Sequence, residues 1–445
     1  MINIKKDKSL LEILFMIFFI FGTKVLFIPA FIFFGILVYK EYYKEKKKKL
    51  IDIFNTLKTA VFYKFLLSIL YPYGNIEDES FRMLILIYII DSVYKVKIKK
   101  FKISYFSYGI LSLFILGVVW NYFSFGGIES VKEYIYRNIN LLLPVLLLDV
   151  YYSEKKYIKI TKYIIPLTGL GIFIRYFESM NTVYILKGGM ISLFSVVLPF
   201  TLFFIFDLKN KKWKIFYSII VMLDVVLIIK LGARAGLFGT LITFVLILLI
   251  SQNLKRILFF ITIVLILLFG MTRIPNVENH FFRYRDFSTR SREYLIRAGA
   301  YCFEKNPVFG VGSGNTQKYF IEYSETKFLE ENKLKNESEI NTVKNHYLRY
   351  FPDTHNIIVD FMAQNGIYGI IFSVLLCMIL PLYIMYVYLK TRKIKYLKYL
   401  GSVLGFLVTG QSWSLWTKHN IGVIYLIIII IMFWREKTDE KEYNF

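Results

Sequence analysis

HNIIVDFMAQNGIYGIIFSVLLCMILPLYIMYVYL, residues 355–389, holds one carboxylate, Asp360, and neither lysine nor arginine. It predicts helix throughout, yet 35 residues rising 1.5 Å each extend about 50 Å, against a bilayer core of about 30 Å. The run therefore has to break. The natural place is Asn365-Gly366 to Gly369, which leaves His355 to Gln364 as a separate turn or half-helix at the membrane surface. Irregular backbone is tolerated there if it lines a polar cavity.

The composition agrees with a membrane setting. Of 445 residues 56% are hydrophobic and 19% aromatic, with mean hydropathy +0.51, more apolar surface than a soluble domain of this length can bury. The net charge of +24 would point to nucleic acid in a soluble protein. Here 42 of the 56 basic residues are lysines, mostly in short runs between apolar segments, the pattern of loops facing anionic lipid. No nucleic-acid partner is expected. Lys5-Lys6-Asp7-Lys8 and the apolar run after it lack a small-residue cleavage site, so they are expected to stay as an anchor. Cys302 and Cys377 lie in settings too unlike for a disulfide or a metal site.

Apolar runs occur near 10–22, 25–39, 51–71, 81–94, 103–123, 138–152, 157–175, 189–207, 213–231, 235–251, 256–271, 356–389, 396–412 and 418–434, giving 12 to 14 spans. With the N-terminus inside, the inner connections hold Lys40 to Lys49 (six lysines), Lys95 to Lys102 (five), Lys155 to Lys162 and Lys209 to Lys214 (four each), and Lys390 to Lys398 (four lysines and Arg392). The outer connection Tyr71 to Ser80 has three acidic residues and no basic one. The alternation obeys the positive-inside rule and predicts an all-α, polytopic membrane protein with both termini cytoplasmic. Its parts are N-terminal spans over 1–271, a large outer loop over 272–354 and C-terminal spans over 355–445, in one integral unit.

The loop is 83 residues long, and loops of that length are usually functional. It predicts a helix from Ser291 to Glu304, stopped by Asn306-Pro307 and the glycine turn Phe309 to Asn315, then one more surface helix within Phe320 to Tyr350. Six of the chain's 14 arginines (Arg273, Arg283, Arg285, Arg290, Arg292, Arg297) fall between positions 273 and 297, with no lysine among them. A chain that otherwise uses lysine for charge chooses arginine where a planar fork is needed for phosphate or carboxylate, or else forms a solvated basic helix paired with Glu278, Asp286 and Glu293. Arg234 stands alone in Gly232-Ala233-Arg234-Ala235-Gly236, either lining a cavity, snorkelling to headgroups or pairing with Asp224. His355 is either a proton acceptor or part of a helix cap, and Asp353 and Thr354 are equally able to cap. The spaced glycines Gly310, Gly312 and Gly314 make a turn rather than a phosphate loop. No serine–histidine–aspartate series, zinc spacing or acidic metal pair is present, and no cofactor is expected.

Three blocks, Gly232-Ala233-Arg234-Ala235-Gly236, then Ser291-Arg292-Glu293-Tyr294 leading into Asn306 to Asn315, then His355-Asn356 with nine residues before Gly366-x-x-Gly369, resemble the O-antigen ligase and polymerase superfamily of bacterial membrane glycosyltransferases. Ala233 stands where the family's first element has serine; the third block matches in full. The ligase-like region covers about 190–380, and the first 230 residues resemble the family only as a hydrophobic profile. The resemblance implies an inverting, metal-independent transfer on the periplasmic face of the inner membrane. The donor is a glycan on undecaprenyl pyrophosphate and the acceptor a sugar hydroxyl of lipid A-core. It further implies that Arg234 and Arg292, with Arg290 or Arg297, hold the pyrophosphate, that His355 deprotonates or orients the acceptor, and that Asn356 fixes its position. A repeat-unit polymerase of the same superfamily is the near alternative. A lipid-linked sugar flippase is the alternative from another class, though it predicts two homologous halves, and no internal repeat is present.

Overall fold

A computed structural model describes residues 15, 32, 34–36, 38–44, 50–70, 76–97, 103–152, 154–178, 183–231, 240–241, 245, 262, 285–331, 337–349, 353–393, 395–411 and 419–442. Arg234, Arg273 and Arg283, and most of the expected spans 10–22, 25–39, 235–251 and 256–271, lie outside the described residues. The main helices are α1 Leu50–Leu70, α2 Ile76–Lys97, α3 Tyr105–Tyr122, α4 Gly127–Asn138, α5 Lys155–Ile164, α6 Thr168–Glu178, α7 Val183–Asp207, α8 Lys211–Leu231, α9 Arg285–Lys305, α10 Thr316–Glu325, α11 Lys327–Glu331, α12 Glu337–Thr342, α13 Ile357–Val374, α14 Leu380–Thr391, α15 Lys395–Gly410 and α16 His419–Glu442. No strand occurs among the described residues. The protein is an all-α polytopic membrane protein. Ile51–Leu70, Tyr105–Tyr122, Lys155–Ile174 and Ile357–Thr391 are long and apolar enough to cross a membrane.

The chain forms two compact units. The first comprises residues 1–102 and 153–164. In it α1 packs on α2, and α5 joins through an edge-on contact of Phe62 with Tyr157, ring centroids 4.6 Å apart. The second comprises residues 103–152 and 165–445. There α7 and α15 form the main helix pair. Ser195 ties them by accepting from Thr409 Oγ1 at 2.8 Å and donating to the Gly405 carbonyl at 3.2 Å. Phe406 of α15 stacks on Tyr425 of α16 at 4.0 Å. α3 turns Ile115, Leu116 and Val119 outward, the arrangement of a helix facing lipid.

The expected loop helix is present as α9, and it stops at Lys305, before Asn306-Pro307. A single surface helix over Phe320 to Tyr350 is not. The segment folds as α10, α11, α12 and a π-turn over Val343–Leu348, with Thr326 out of helical geometry (φ −117°, ψ −98°). The physical reason is burial: Phe320, Tyr323, Phe328, Val343 and Leu348 meet Tyr294, Leu295, Ala298 and Cys302 of α9 in one apolar cluster, which also takes in Ala363 of α13. Two or more short helices are needed to point all these side chains inward. Burial also pushes the Cys302 thiol far above its ordinary range, so it serves as packing and not as a nucleophile.

Candidate active site

The long helix that begins at Ile357 does break, at Gly366 (φ 55°, ψ −135°). A break inside a helix orphans backbone groups that must find partners. Ile367 N–H, which in a continuous helix would bond to Ala363, donates instead to the carbonyls of Pro307 at 3.0 Å and Val308 at 3.1 Å. The freed carbonyls of Ala363 and Gln364 accept from Val311 N–H at 3.0 Å and Gly312 N–H at 2.9 Å. The glycine turn after α9 and the glycine pair in α13 are thus two halves of one backbone joint. Close approach dictates the residue type: a Cβ on Gly310 would lie 2.4 Å from the Gln364 carbonyl oxygen, and one on Gly366 2.3 Å from that of Val308.

Helix α3 closes the joint from the other side. The buried Asn121 side chain accepts from Ser313 N–H at 3.0 Å and donates to the Asn365 side-chain oxygen and the Gly117 carbonyl, each at 2.9 Å. Trp120 packs against Phe309 and Tyr368 and donates Nε1–H to the Val308 carbonyl at 3.2 Å. From α4, Ser130 accepts from Asn315 Nδ2 at 2.9 Å. The joint holds the half-helix Ile357 to Asn365, and with it the segment that precedes it.

That segment holds the candidate residues Asp353, His355 and Asn356. Asn356 is the N-cap of α13: its side-chain oxygen accepts from Ile358 N–H at 3.0 Å and Val359 N–H at 3.1 Å. Its side-chain nitrogen donates to the Gln411 carbonyl at 3.3 Å and Oε1 at 3.1 Å. Asn356, expected to help hold substrate, therefore has both polar atoms engaged within the protein. Asn356→Ala is expected to lower stability by about 1–2 kcal/mol through the lost cap and the Gln411 bonds, with Asn356→Ser recovering the cap share. Thermal unfolding in detergent measures both.

His355 is thereby relieved of capping. Its backbone sits in the left-handed region (φ 54°), an uncommon setting for a non-glycine residue. Asp353 holds it there. One carboxylate oxygen, Oδ1, accepts from His355 N–H at 3.1 Å and from the ring Nδ1 at 2.7 Å. Both side chains are mostly buried, 11% and 8% exposed, so the bond works at low dielectric. An ionised carboxylate only accepts, so the neutral imidazole that fits this contact carries its proton on Nδ1 and leaves the lone pair on Nε2. This is the arrangement a general base requires.

Helix α9 crosses this segment at Gly299, where a Cβ would lie 2.5 Å from Thr354 Cγ2 and 2.6 Å from Val359 Cγ1. The contact sorts the arginines. At about 100° per residue, position 292 falls within about 20° of position 299, whereas 290 and 297 fall about half a turn away. Half-buried Arg292 thus shares the face that meets the histidine segment. Arg297, on the other face, is half-exposed and paired with Glu293 at 2.6 Å. The side chain of Arg290 lies outside what the structure describes.

Two contributors carried a sequence signal that went unused. Arg137, at the end of α4, is one of the 14 arginines of a lysine-rich chain. It lines a narrow recess along α13 with Asp360, Phe361, Gln364 and Asn365, with room for about one water molecule. Asn121 is a lone amide in the apolar run of α3. Asp353, which by sequence alone serves equally as a helix cap, is the partner of the histidine ring.

A family model described as O-antigen ligase matches residues 219–374, about a third of the chain. The match covers α9, the glycine turn, the Asp353–His355 pair and all of α13. No curated protein matches the chain.

Proposed function

Taking residues 219–374 as an O-antigen ligase domain and the chain as a membrane glycosyltransferase of that superfamily, we propose that it transfers a glycan from undecaprenyl pyrophosphate to a sugar hydroxyl of lipid A-core, with inversion and without a metal, at the periplasmic face of the inner membrane. The observation that carries this reading is the His355 ring, its Nδ1 held 2.7 Å from a carboxylate oxygen of buried Asp353. Nε2 takes the proton of the acceptor hydroxyl as its oxygen attacks the anomeric carbon from the side opposite the pyrophosphate. The bond from that carbon to the phosphate oxygen breaks, and the proton leaves the imidazolium to water. Pyrophosphate departs as an anion, which Arg292 and Arg234 stabilise by charge-assisted hydrogen bonds.

The placement of Arg292 on the face of α9 that meets Thr354 makes a selective prediction. Arg292→Lys keeps the charge and loses the fork, and transfer should fall by about tenfold or more. Arg297→Ala removes a half-exposed pair with Glu293 on the other face of the helix, so the rate should stay within about twofold. Equal losses in both variants would remove the assignment of Arg292.

Reconstitution in vesicles tests the function itself. The full chain is supplied with an undecaprenyl-pyrophosphate glycan and either a core lipid or the donor alone. Product on the core lipid supports ligation, whereas a ladder on the donor selects the polymerase. Absence of both products, with glycan moved across the bilayer, selects the flippase.

A further inference from the structure

Asp360 is the sole acid of residues 355–389, and neither the joint at Gly366 nor the histidine pair uses it. It lies in the first turn of α13 and is only 5% exposed. A carboxylate buried at the edge of a membrane is costly unless it is hydrogen-bonded and balanced by charge. The surroundings supply both. Asp360 Oδ1 accepts from the N–H of fully buried Thr354 at 3.3 Å, and the Gln364 side chain donates to the carboxylate from one turn further along the helix. Arg137 of α4, its side chain 16% exposed, faces Asp360 across a recess with room for about one water molecule. Across so small a gap two buried charges still attract.

The bond to Thr354 bears directly on the base. A left-handed backbone such as that of His355 (φ 54°) persists only where its surroundings fix it. Asp353 fixes the His355 N–H and ring. Thr354, the residue between them, is held at its N–H by Asp360 and at its hydroxyl, which donates to the Asn356 carbonyl at 2.8 Å. Asp360 thus reaches back across the start of α13 and clamps the segment from below.

We propose that Asp360 is a positioning residue for His355 and that Arg137 is its buried countercharge. The role toward His355 rests on the transferase reading above. The titratable and charged groups around the segment are Asp353 within it, Arg137 from α4, and Cys302 and Arg292 from α9. Burial keeps Cys302 a neutral thiol. Asp353 and Asp360 then place two negative charges beside an imidazole that turns positive when it takes the acceptor proton. Arg137, itself held by Glu133 at 2.7 Å, is the cation that lets two carboxylates share this buried place.

The test uses the full chain in vesicles, in the reconstituted reactions described above, with kcat followed against pH. Asp360→Asn keeps an oxygen for Thr354 and removes the charge. The His355 imidazolium loses a stabilising neighbour, so the fall of kcat on the acid side should move to lower pH by about half a unit or more. A purely structural fault would lower kcat at every pH and leave that fall in place. Arg137→Gln strands a buried carboxylate and should lower kcat by about tenfold. Added to Asp360→Asn it should cost no more than about twofold, because no charge is left to balance. Melting temperatures in detergent make the same comparison without catalysis: Arg137→Gln should lose about 5 °C or more, and the double variant should melt above it. An acid-side fall unmoved in Asp360→Asn, or equal losses from Arg137→Gln with and without the Asp360 charge, overturns the proposal while the transferase reading stands. A wild-type protein that neither transfers to core lipid nor builds a ladder on its donor overturns that reading and the role of Asp360 with it.

Discussion

His355→Asn should lower kcat for glycan transfer by about 10²–10⁴-fold, the usual contribution of a positioned general base. Asparagine is the informative substitution because it tolerates the left-handed backbone that His355 adopts (φ 54°). It also leaves α13 intact, since the helix is capped by Asn356 and not by the histidine. Loss of activity in a protein that still melts near the wild-type temperature thus isolates chemistry from folding. Asp353→Asn is the companion. It removes the charge that fixes the ring while preserving an oxygen acceptor, and the loss should be smaller, about 10–100-fold. Initial rates with labelled donor, resolved into kcat and KM, measure both. Undiminished turnover in His355→Asn would end the base assignment.

Gly366→Ala should destabilise the protein by about 3–5 kcal/mol, a large share of the 5–15 typical of folded proteins. Two terms contribute. The backbone at Gly366 (φ 55°, ψ −135°) is one that side chains rarely adopt, worth about 1–3 kcal/mol. The added Cβ also meets the Val308 carbonyl at 2.3 Å, and a backbone atom cannot swing aside as a side chain does. Gly369→Ala should act in the same direction, because its Cβ would lie 1.9 Å from the Phe361 carbonyl across the fold of the broken helix. The control is Gly109→Ala in α3, where nothing lies within 4 Å and the helix should gain up to about 1 kcal/mol. Unfolding in detergent followed by circular dichroism compares the three; equal stability of Gly366→Ala and Gly109→Ala would refute the joint.

Much of this was legible in the order of residues. Length against bilayer thickness located the break in residues 355–389 within a few positions, because that argument needs only the rise of a helix. Asn306-Pro307 announced the end of α9 by removing a donor and biasing the backbone away from helix. The division of the arginines was also within reach: once α9 is taken as helical, spacing alone separates position 292 from 290 and 297. Thr326 gave no warning, since neither glycine nor proline marks the place where α10 ends and the chain turns to bury Phe328. The pairing of the two glycine motifs was hidden for a different reason. It is made by backbone N–H and C=O groups, which every residue has, and so leaves no signature beyond the missing Cβ atoms. Asn121 lies 192 residues from Ser313, and no local pattern connects them. The role of Asp353 was ambiguous because a carboxylate two residues before a histidine serves equally as cap or as ring partner.

The bond from Ser313 N–H to Asn121 has a consequence for dissection of the protein. Residues 219–374 have the outline of a module, yet the acceptor for this buried amide comes from α3, almost 100 residues before that region begins. Excised alone, the segment would keep its glycine turn and its broken helix but lose Asn121, and with Trp120 the lid on the Val308 carbonyl. Each orphaned group would be worth about 1–3 kcal/mol in a non-aqueous interior. The matched third of the chain is therefore not an autonomous fold, and grafting it onto another helical scaffold requires carrying the Trp120-Asn121 end of α3 along with it.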